Sequence, residues 1–215
     1  MIIEMQVLHT VTFYLLFLAL ALATFVVVER FIFFSASLRD ARQLETVLTH
    51  DVNSVNQLPK ELMSRKSVSV EAVRRMFETK ATLDRRADIE DFSDSLYISL
   101  KSKLNRHIWI LDTVVTAAPL LGLLGTILGI IDTFTALAAA GVSDPSAVSR
   151  GIGTALYATA LGISVALYGL LFHNLFQVRI DAINDHLKVL LLRAGIGGGA
   201  EEEVAAPRHS FAPAE

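Results

Sequence analysis

The apolar positions of this chain fall into three long runs, and polar stretches separate them. The first run, VTFYLLFLALALATFVVV, begins at Val11. The second lies within DTVVTAAPLLGLLGTILGIID, which begins at Asp112, and the third follows Arg150 as GIGTALYATALGISVALYG. About 20 helical residues with a rise of ~1.5 Å each span the ~30 Å hydrocarbon core of a bilayer. The pattern therefore predicts an all-α membrane protein. Its three transmembrane helices are expected at 11–34, 108–139 and 150–178.

The segments around these runs are polar. Residues 35–107 carry dense charge and contain no apolar run of spanning length, which predicts a soluble helical insert. Within it, Leu96, Leu100 and Leu104 recur at every fourth position and predict one buried stripe of a helix. The remaining predicted segments are an N-terminal segment at 1–10, a connector at 140–149, a helix with a glycine stop at 179–199 and a disordered tail at 200–215.

Lysine and arginine show which side of the membrane each segment occupies. They cluster at both ends of the insert and after the third run, for example at Arg39, Lys101 and Arg179. The first ten residues contain none, and the 140–149 connector contains none either. Because cytoplasmic loops are enriched in these residues, the insert and the tail are expected in the cytoplasm. The N-terminus is then expected on the outer side, which agrees with three crossings.

Composition excludes several classes of function. The chain has 215 residues, 53% of them hydrophobic, with a net charge of −3, so no overall basic charge indicates nucleic-acid binding. It has no cysteine, and its six histidines form no metal-ligand spacing. The composition therefore excludes disulfides, thiolate catalysis and cysteine-ligated metal sites. We expect no catalytic residue, metal or cofactor.

Small residues recur on one face of each of the last two spans. Gly122, Gly125 and Gly129 are spaced by three and four, and Gly162 and Ala166 follow the same spacing in the third span. Such faces allow two helices to approach closely, so these residues are predicted to set helix packing. Pro119 removes a backbone donor inside the second span and predicts a kink there.

The polar groups inside the spans are hydroxyls rather than charges. Thr116, Thr154 and Thr159 are the candidates for a lumen or ion path, and Thr159 ranks first because it lies on the small-residue face. A hydroxyl can relay a proton or offer an oxygen to a cation, but it stores no charge at neutral pH. The alternative is that each threonine simply bonds to a carbonyl one turn earlier. Any carboxylate that an ion path needs must come from another chain.

Charged residues mark the ends of the first two spans. Asp112 and Asp132 are either pore-mouth charges or solvated helix ends, and the sequence leaves both interpretations open. Glu29 and Arg30 end the first apolar run. Because adjacent helical side chains point in different directions, these two are expected to have different partners or to reach the interface.

The two small-residue segments resemble a known family. TAAPLLGLLGTILGIIDTF and GIGTALYATALGISVAL are similar to the MotA/TolQ/ExbB superfamily, and most similar to its ExbB/TolQ branch. The order of the elements also matches, from a first helix that ends in Glu29, Arg30 and Phe31 to a large cytoplasmic insert and two further helices. The resemblance covers nearly the whole topology.

The resemblance implies a ring-forming homopentamer in a bacterial inner membrane, with the second and third helices around a lumen. It further implies single-span partners of the ExbD/TolR type, each of which brings a membrane aspartate. Ion flow would then drive a motor that passes force to an envelope protein of the TonB/TolA type. This chain would be the scaffold or stator subunit of that motor.

Two positions depart from the ExbB/TolQ pattern. Thr154 stands where that branch usually has a glutamate, and Ala117 stands where it has a threonine before the Ala-Pro pair. Thr159 is retained. Either a proton or a sodium ion is compatible with these residues. The alternatives are a passive scaffold that recruits partners through the insert, and a self-sufficient channel, which the absence of a carboxylate in the middle of the spans disfavours.

Overall fold

A computed structural model describes residues 2–49, 52, 54–83, 85–140 and 145–196. This part of the chain is mostly helical, with short turns between the helices, and contains no strand. Three of its helices are long and apolar enough to cross a membrane, which fits the predicted all-α membrane class. The helices are α1 (Ile2–Val47), α2 (Lys60–Met63), α3 (Val68–Lys80), α4 (Arg86–Asn105), α5 (Ile108–Ala140) and α6 (Pro145–Ile196), with a 3₁₀ turn at Val55–Gln57.

The helices extend beyond the spans that hydropathy predicts. Helix α1 runs on from Phe34 to Val47, and α6 begins at Pro145 and continues to Ile196. The predicted 140–149 connector is therefore partly helical, because Ala140 belongs to α5 and Pro145 opens α6. Proline suits this first position, since the first amide of a helix has no intrahelical acceptor. The segment 141–144, residues 197–199 of the glycine stop and the predicted tail at 200–215 lie outside the described residues.

The chain divides into two compact units, and α1 and α6 contribute to both. The first unit comprises 1–32 and 105–178 and holds the apolar parts of α1 and α6 together with α5. Apart from Phe176, its apolar core is made of small and branched side chains, while many large apolar side chains face outward. Outward-facing apolar surface of this kind suits lipid tails or other membrane helices. Examples of the outward residues are Tyr14, Phe25, Leu120, Leu167 and Leu171.

The second unit comprises 33–104 and 179–215, and amphipathic helices build its core. The predicted stripe of Leu96, Leu100 and Leu104 on α4 is buried, with at most 4% of any of these side chains exposed. At the start of α3, the Ser67 hydroxyl accepts a hydrogen bond from the Val70 amide at 3.4 Å. That bond satisfies one of the free amides of the first turn, so Ser67 is the N-cap.

Basic side chains satisfy helix C-termini in this second unit. The Arg193 guanidinium donates to the carbonyls of Glu45 and Leu48 at 2.7 and 3.3 Å, at the end of α1. The Lys80 ammonium donates to the Ala194 carbonyl at 3.3 Å, near the end of α6. Cations are favourable at this end of a helix dipole. Partial burial nevertheless lowers the pKa of Lys80, because it removes water from the charged form.

Candidate ion-path site between helices α5 and α6

Glycines bring the backbones of α5 and α6 together. A Cβ atom placed on Gly162 would lie 2.5 Å from the Ala118 carbonyl oxygen and 3.0 Å from the Gly122 Cα. A Cβ atom on Gly122 would lie 2.9 Å from the Ala158 carbonyl oxygen. No real side chain fits at such distances, so only glycine permits this approach. Close backbone contact of this kind is how helices associate in lipid.

The same contact continues along α5 and includes α1. A Cβ atom on Gly125 would lie 2.7 Å from the Ala158 Cβ and 3.3 Å from the Thr12 Cγ2 of α1. A Cβ atom on Gly129 would lie 2.8 Å from the Ala155 Cβ and 3.0 Å from the His9 Nε2 of α1. Three helices therefore meet on one face of α5. Ala166 of α6 is also buried, with 8% of its surface exposed.

Two threonine hydroxyls meet across this glycine contact. The hydroxyls of Thr126 on α5 and Thr159 on α6 form a hydrogen bond with each other. The Gly122 carbonyl lies 3.1 Å from the Thr126 hydroxyl and 3.2 Å from the Thr159 hydroxyl. The Ala155 carbonyl lies 3.4 Å from the Thr126 hydroxyl. The cluster thus has two protons for more than two acceptor positions, so the hydroxyls can exchange donor and acceptor roles.

Thr126 was not among the ion-path candidates predicted from the sequence. It lies four residues after Gly122 and three before Gly129, and therefore on the same helical face as both glycines. That spacing was the available signal. Thr159, the first-ranked candidate, is its partner.

Thr116 and Thr154 lie elsewhere. Both side chains are exposed, and both bond to their own helices. The Thr154 hydroxyl donates to the Arg150 carbonyl at 3.0 Å. The Thr116 hydroxyl lies 3.1 Å from the Asp112 carbonyl and 3.0 Å from the Thr113 carbonyl. The structure therefore brings neither of them to the Thr126–Thr159 pair.

The two aspartates of α5 face different directions. Asp112 is exposed and Asp132 is half-buried, and neither forms an ion pair with any residue in the described ranges. Their separation of 20 residues along α5 places them about 200° apart around the helix, at ~100° per residue. Asp112 shares its exposed face with Thr116, one turn later. Pro119 is half-buried, and α5 stays helical on both sides of it.

A charged cluster joins α1 to the start of α5. The Arg30 Nε lies 2.8 Å from the Glu29 Oε2, so these adjacent residues pair with each other, and the expectation of separate partners was wrong. Both side chains are long enough to curve towards His107, whose Nδ1 lies 2.8 Å from the Arg30 Nη2 and 3.8 Å from the Glu29 Oε2. Arginine only donates, so His107 accepts through Nδ1 and its other ring nitrogen carries the proton. Among the described residues, no group of three or more His, Cys, Asp or Glu could hold a metal ion.

These features define a helical membrane protein with a polar contact inside a close-packed helix pair. The model of the MotA/TolQ/ExbB proton channel family matches residues 64–188, which include most of the insert, α5 and the apolar part of α6. The chain belongs to this family.

Individual relatives carry related names. The chain is 33% identical over 131 residues to a putative biopolymer transport protein ExbB homolog of Methanothermobacter thermautotrophicus. The aligned region is 56% of this chain and 46% of that protein. It is 37% identical over 95 residues to the biopolymer transport protein ExbB of Aquifex aeolicus, covering 44% of this chain and 62% of that protein. It is 36% identical over 80 residues to the Tol-Pal system protein TolQ of Haemophilus influenzae, covering 37% of this chain and 35% of that protein. The matches span less than two thirds of these relatives.

Proposed function

We propose that this chain is the ring-forming stator subunit of an ion-driven motor in a bacterial inner membrane, similar to ExbB and TolQ. The observation that carries the proposal is the Thr126–Thr159 hydroxyl pair inside the glycine-lined contact of α5 and α6. In this proposal the N-terminus is periplasmic, the insert and C-terminus are cytoplasmic, and five copies surround a lumen. Biopolymer transport names among the relatives support an envelope process as its output.

The hydroxyl pair cannot supply the charge that ion coupling needs. No acid or base lies between Asp112 and Asp132 on α5, and only hydroxyl groups occupy the polar positions between Arg150 and His173 on α6. A charge in the middle of a bilayer is costly, so an ionisable group found there usually has a function such as moving ions. An ion path through this chain would need such a group. We propose that single-span partners of the ExbD/TolR type bring that carboxylate into the lumen. A protein of the TonB/TolA type would receive the force.

The roles of the individual residues follow from this arrangement. Thr159 and Thr126 would relay a proton, or coordinate a partly dehydrated sodium ion, while the partner carboxylate loads and unloads. Thr154 and Thr116, which are exposed, would face the lumen from outside this contact. Asp112 would stand at the cytoplasmic mouth and Asp132 at the outer mouth.

The test is Thr159→Val, which removes the hydroxyl and keeps the branched shape. The variant, assembled with its single-span partner in proteoliposomes, should form normal oligomers and show at least tenfold lower ion flux under an imposed gradient. Thr24→Val is the matched control, because Thr24 is an exposed membrane threonine whose hydroxyl bonds to the Leu20 carbonyl at 2.8 Å. Full flux through Thr159→Val would make the hydroxyl a packing group and would favour a passive scaffold.

A further inference from the structure

A cationic pocket opens in the second unit between α1 and α6. Its volume is about 460 Å³. Cavities of ~300–1,000 Å³ are typical of sites for small organic ligands. Its lining is polar apart from one leucine, and three arginines contribute to it. The lining residues are Ser35, Leu38, Arg39, Arg42, Gln43 and Arg179.

The α1 side of the pocket is one face of a helix. Ser35, Leu38, Arg39 and Arg42 are related by spacings of three and four residues, so their side chains project in the same direction. From α6, the Arg179 Nη1 donates to the Ser35 hydroxyl at 3.1 Å, which fixes this guanidinium at the edge of the pocket. The pocket is therefore built by two helices and not by a flexible loop.

Two of the three arginines in the pocket have no charge partner among the described residues. Arg39 and Arg42 are exposed, and neither forms an ion pair or hydrogen bond with any part of the chain that the structure describes. The acids nearest in sequence on α1 are engaged elsewhere. Asp40 is buried and accepts from the Arg65 guanidinium at 2.7 Å. Glu45 contacts His186 at 2.5 Å and Arg193 at 3.7 Å.

Acids on α6 do not face the pocket either. Asp181 follows Arg179 by two residues, which is about 200° around the helix, and Asp185 follows it by six, which is about 240° away or 120° in the shorter sense. A ligand of this pocket would therefore meet three guanidinium groups and no carboxylate. Guanidinium groups bind phosphate oxygens through paired hydrogen bonds.

The position of the pocket along α1 indicates which phosphate-bearing molecule it would meet. Phe31, Phe33 and Phe34 end the apolar part of α1, where aromatic rings favour the membrane interface. Ser35 follows directly, and Arg42 lies only about 12 Å beyond Phe34 along the helix, at ~1.5 Å per residue. That interval corresponds to the headgroup layer and the first water beyond it. Basic pockets between helices at this depth bind anionic headgroups.

We propose that this pocket binds the headgroup of an anionic phospholipid of the phosphatidylglycerol class, with Arg39, Arg42 and Arg179 around its phosphate and Gln43 near the glycerol hydroxyls. The pocket thereby fixes a single lipid molecule and not only a diffuse layer of anionic lipid. This proposal does not depend on ion conduction.

The test measures lipid retained by the purified full chain. Wild type in non-ionic detergent is titrated with dioleoyl-phosphatidylglycerol or dioleoyl-phosphatidylcholine, and native mass spectrometry counts the bound molecules. Wild type should retain the anionic lipid. Arg39→Gln/Arg42→Gln should bind it about thirtyfold more weakly, because each surface arginine contributes about a factor of five towards anionic lipid.

The control removes the same charge elsewhere. Arg85→Gln/Arg86→Gln alters two exposed arginines at the start of α4 that pair with Asp88 and Glu90. This variant should bind the lipid as wild type does. Equal loss in both double variants, or no loss in Arg39→Gln/Arg42→Gln, would overturn the site. Displacement of the lipid by equimolar sn-glycerol 3-phosphate would overturn the lipid source and make this a site for a soluble phosphate.

Discussion

At the scale of single residues, His107 combines an unusual backbone with a polar role. Its φ of 67° lies in the left-handed region, and no other non-glycine residue among those described has a positive φ. Histidine tolerates this region better than most side chains, although at some cost. This left-handed residue interrupts the helical conformation between Asn105, where α4 ends, and Ile108, where α5 begins. The turn places the His107 ring so that it accepts a hydrogen bond from the buried Arg30.

His107→Ala should therefore destabilise the protein by about 2 kcal/mol. Alanine in the left-handed region costs about 1 kcal/mol. The loss of the hydrogen bond that Arg30 donates to the His107 ring costs about 1 kcal/mol more. His107→Asn should lose less than half as much, because asparagine tolerates this backbone and offers an oxygen. The measurement is the thermal midpoint in detergent, with Trp109 as the reporter, since it is the single tryptophan and lies two residues away. Equal midpoints for the Ala and Asn variants would contradict this account.

Residue patterns predicted the candidate site only in part. The spacing of Gly122, Gly125 and Gly129 indicated the close helix face, because helical periodicity is a local property of the sequence. The Thr126–Thr159 pair required knowledge of which faces of α5 and α6 meet and at what axial offset. That offset depends on contacts between residues more than 30 positions apart, and no local pattern contains it. The pairing of Glu29 with Arg30 was missed for the same reason, since both converge on the distant His107.

At the scale of helices, α6 carries a matched pair of glycines for testing the contact. A Cβ on Gly162 would meet the α5 backbone, at 2.5 Å from the Ala118 oxygen, whereas a Cβ on Gly153 would meet nothing within 4 Å. Gly162 is therefore required for packing, and Gly153 is not. Both lie in the interior of the same helix, so their intrinsic effects on helix formation are similar.

Gly162→Ala should push α5 and α6 apart, lower the thermal midpoint by several degrees and weaken the oligomer, and Gly162→Leu should abolish assembly. Gly153→Ala should be neutral or stabilise by about 0.5–1 kcal/mol, because alanine favours the helix over glycine. Size-exclusion chromatography with the thermal midpoint separates these outcomes. If both alanine variants behave alike, the close contact does not limit stability.

At the scale of the whole molecule, hydropathy predicted the number of spans because it depends only on length and composition. Hydropathy alone did not give the ends of α1 and α6, which continue far into polar sequence. The helix with a glycine stop expected at 179–199 from the amphipathic pattern corresponds to the last part of α6, which ends at Ile196. Those extensions are stabilised by packing within the second unit, as the burial of Leu44 and Leu187 indicates. The leucine stripe of α4 was predictable, because an amphipathic helix must bury its apolar face.

The composition of the membrane spans leads to a prediction about the whole assembly. Because no carboxylate occupies the middle of any span, the purified chain alone should not dissipate a proton or sodium gradient across a proteoliposome. Co-reconstitution with the proposed single-span partner should open the path, and Asp→Asn at the membrane aspartate proposed for that partner should close it again. Parallel recordings with a pH-sensitive dye and a sodium-sensitive dye identify the ion. Gradient dissipation by this chain alone would instead require that the hydroxyls of Thr126 and Thr159 conduct through a water-filled path, and would remove the need for a partner's charge.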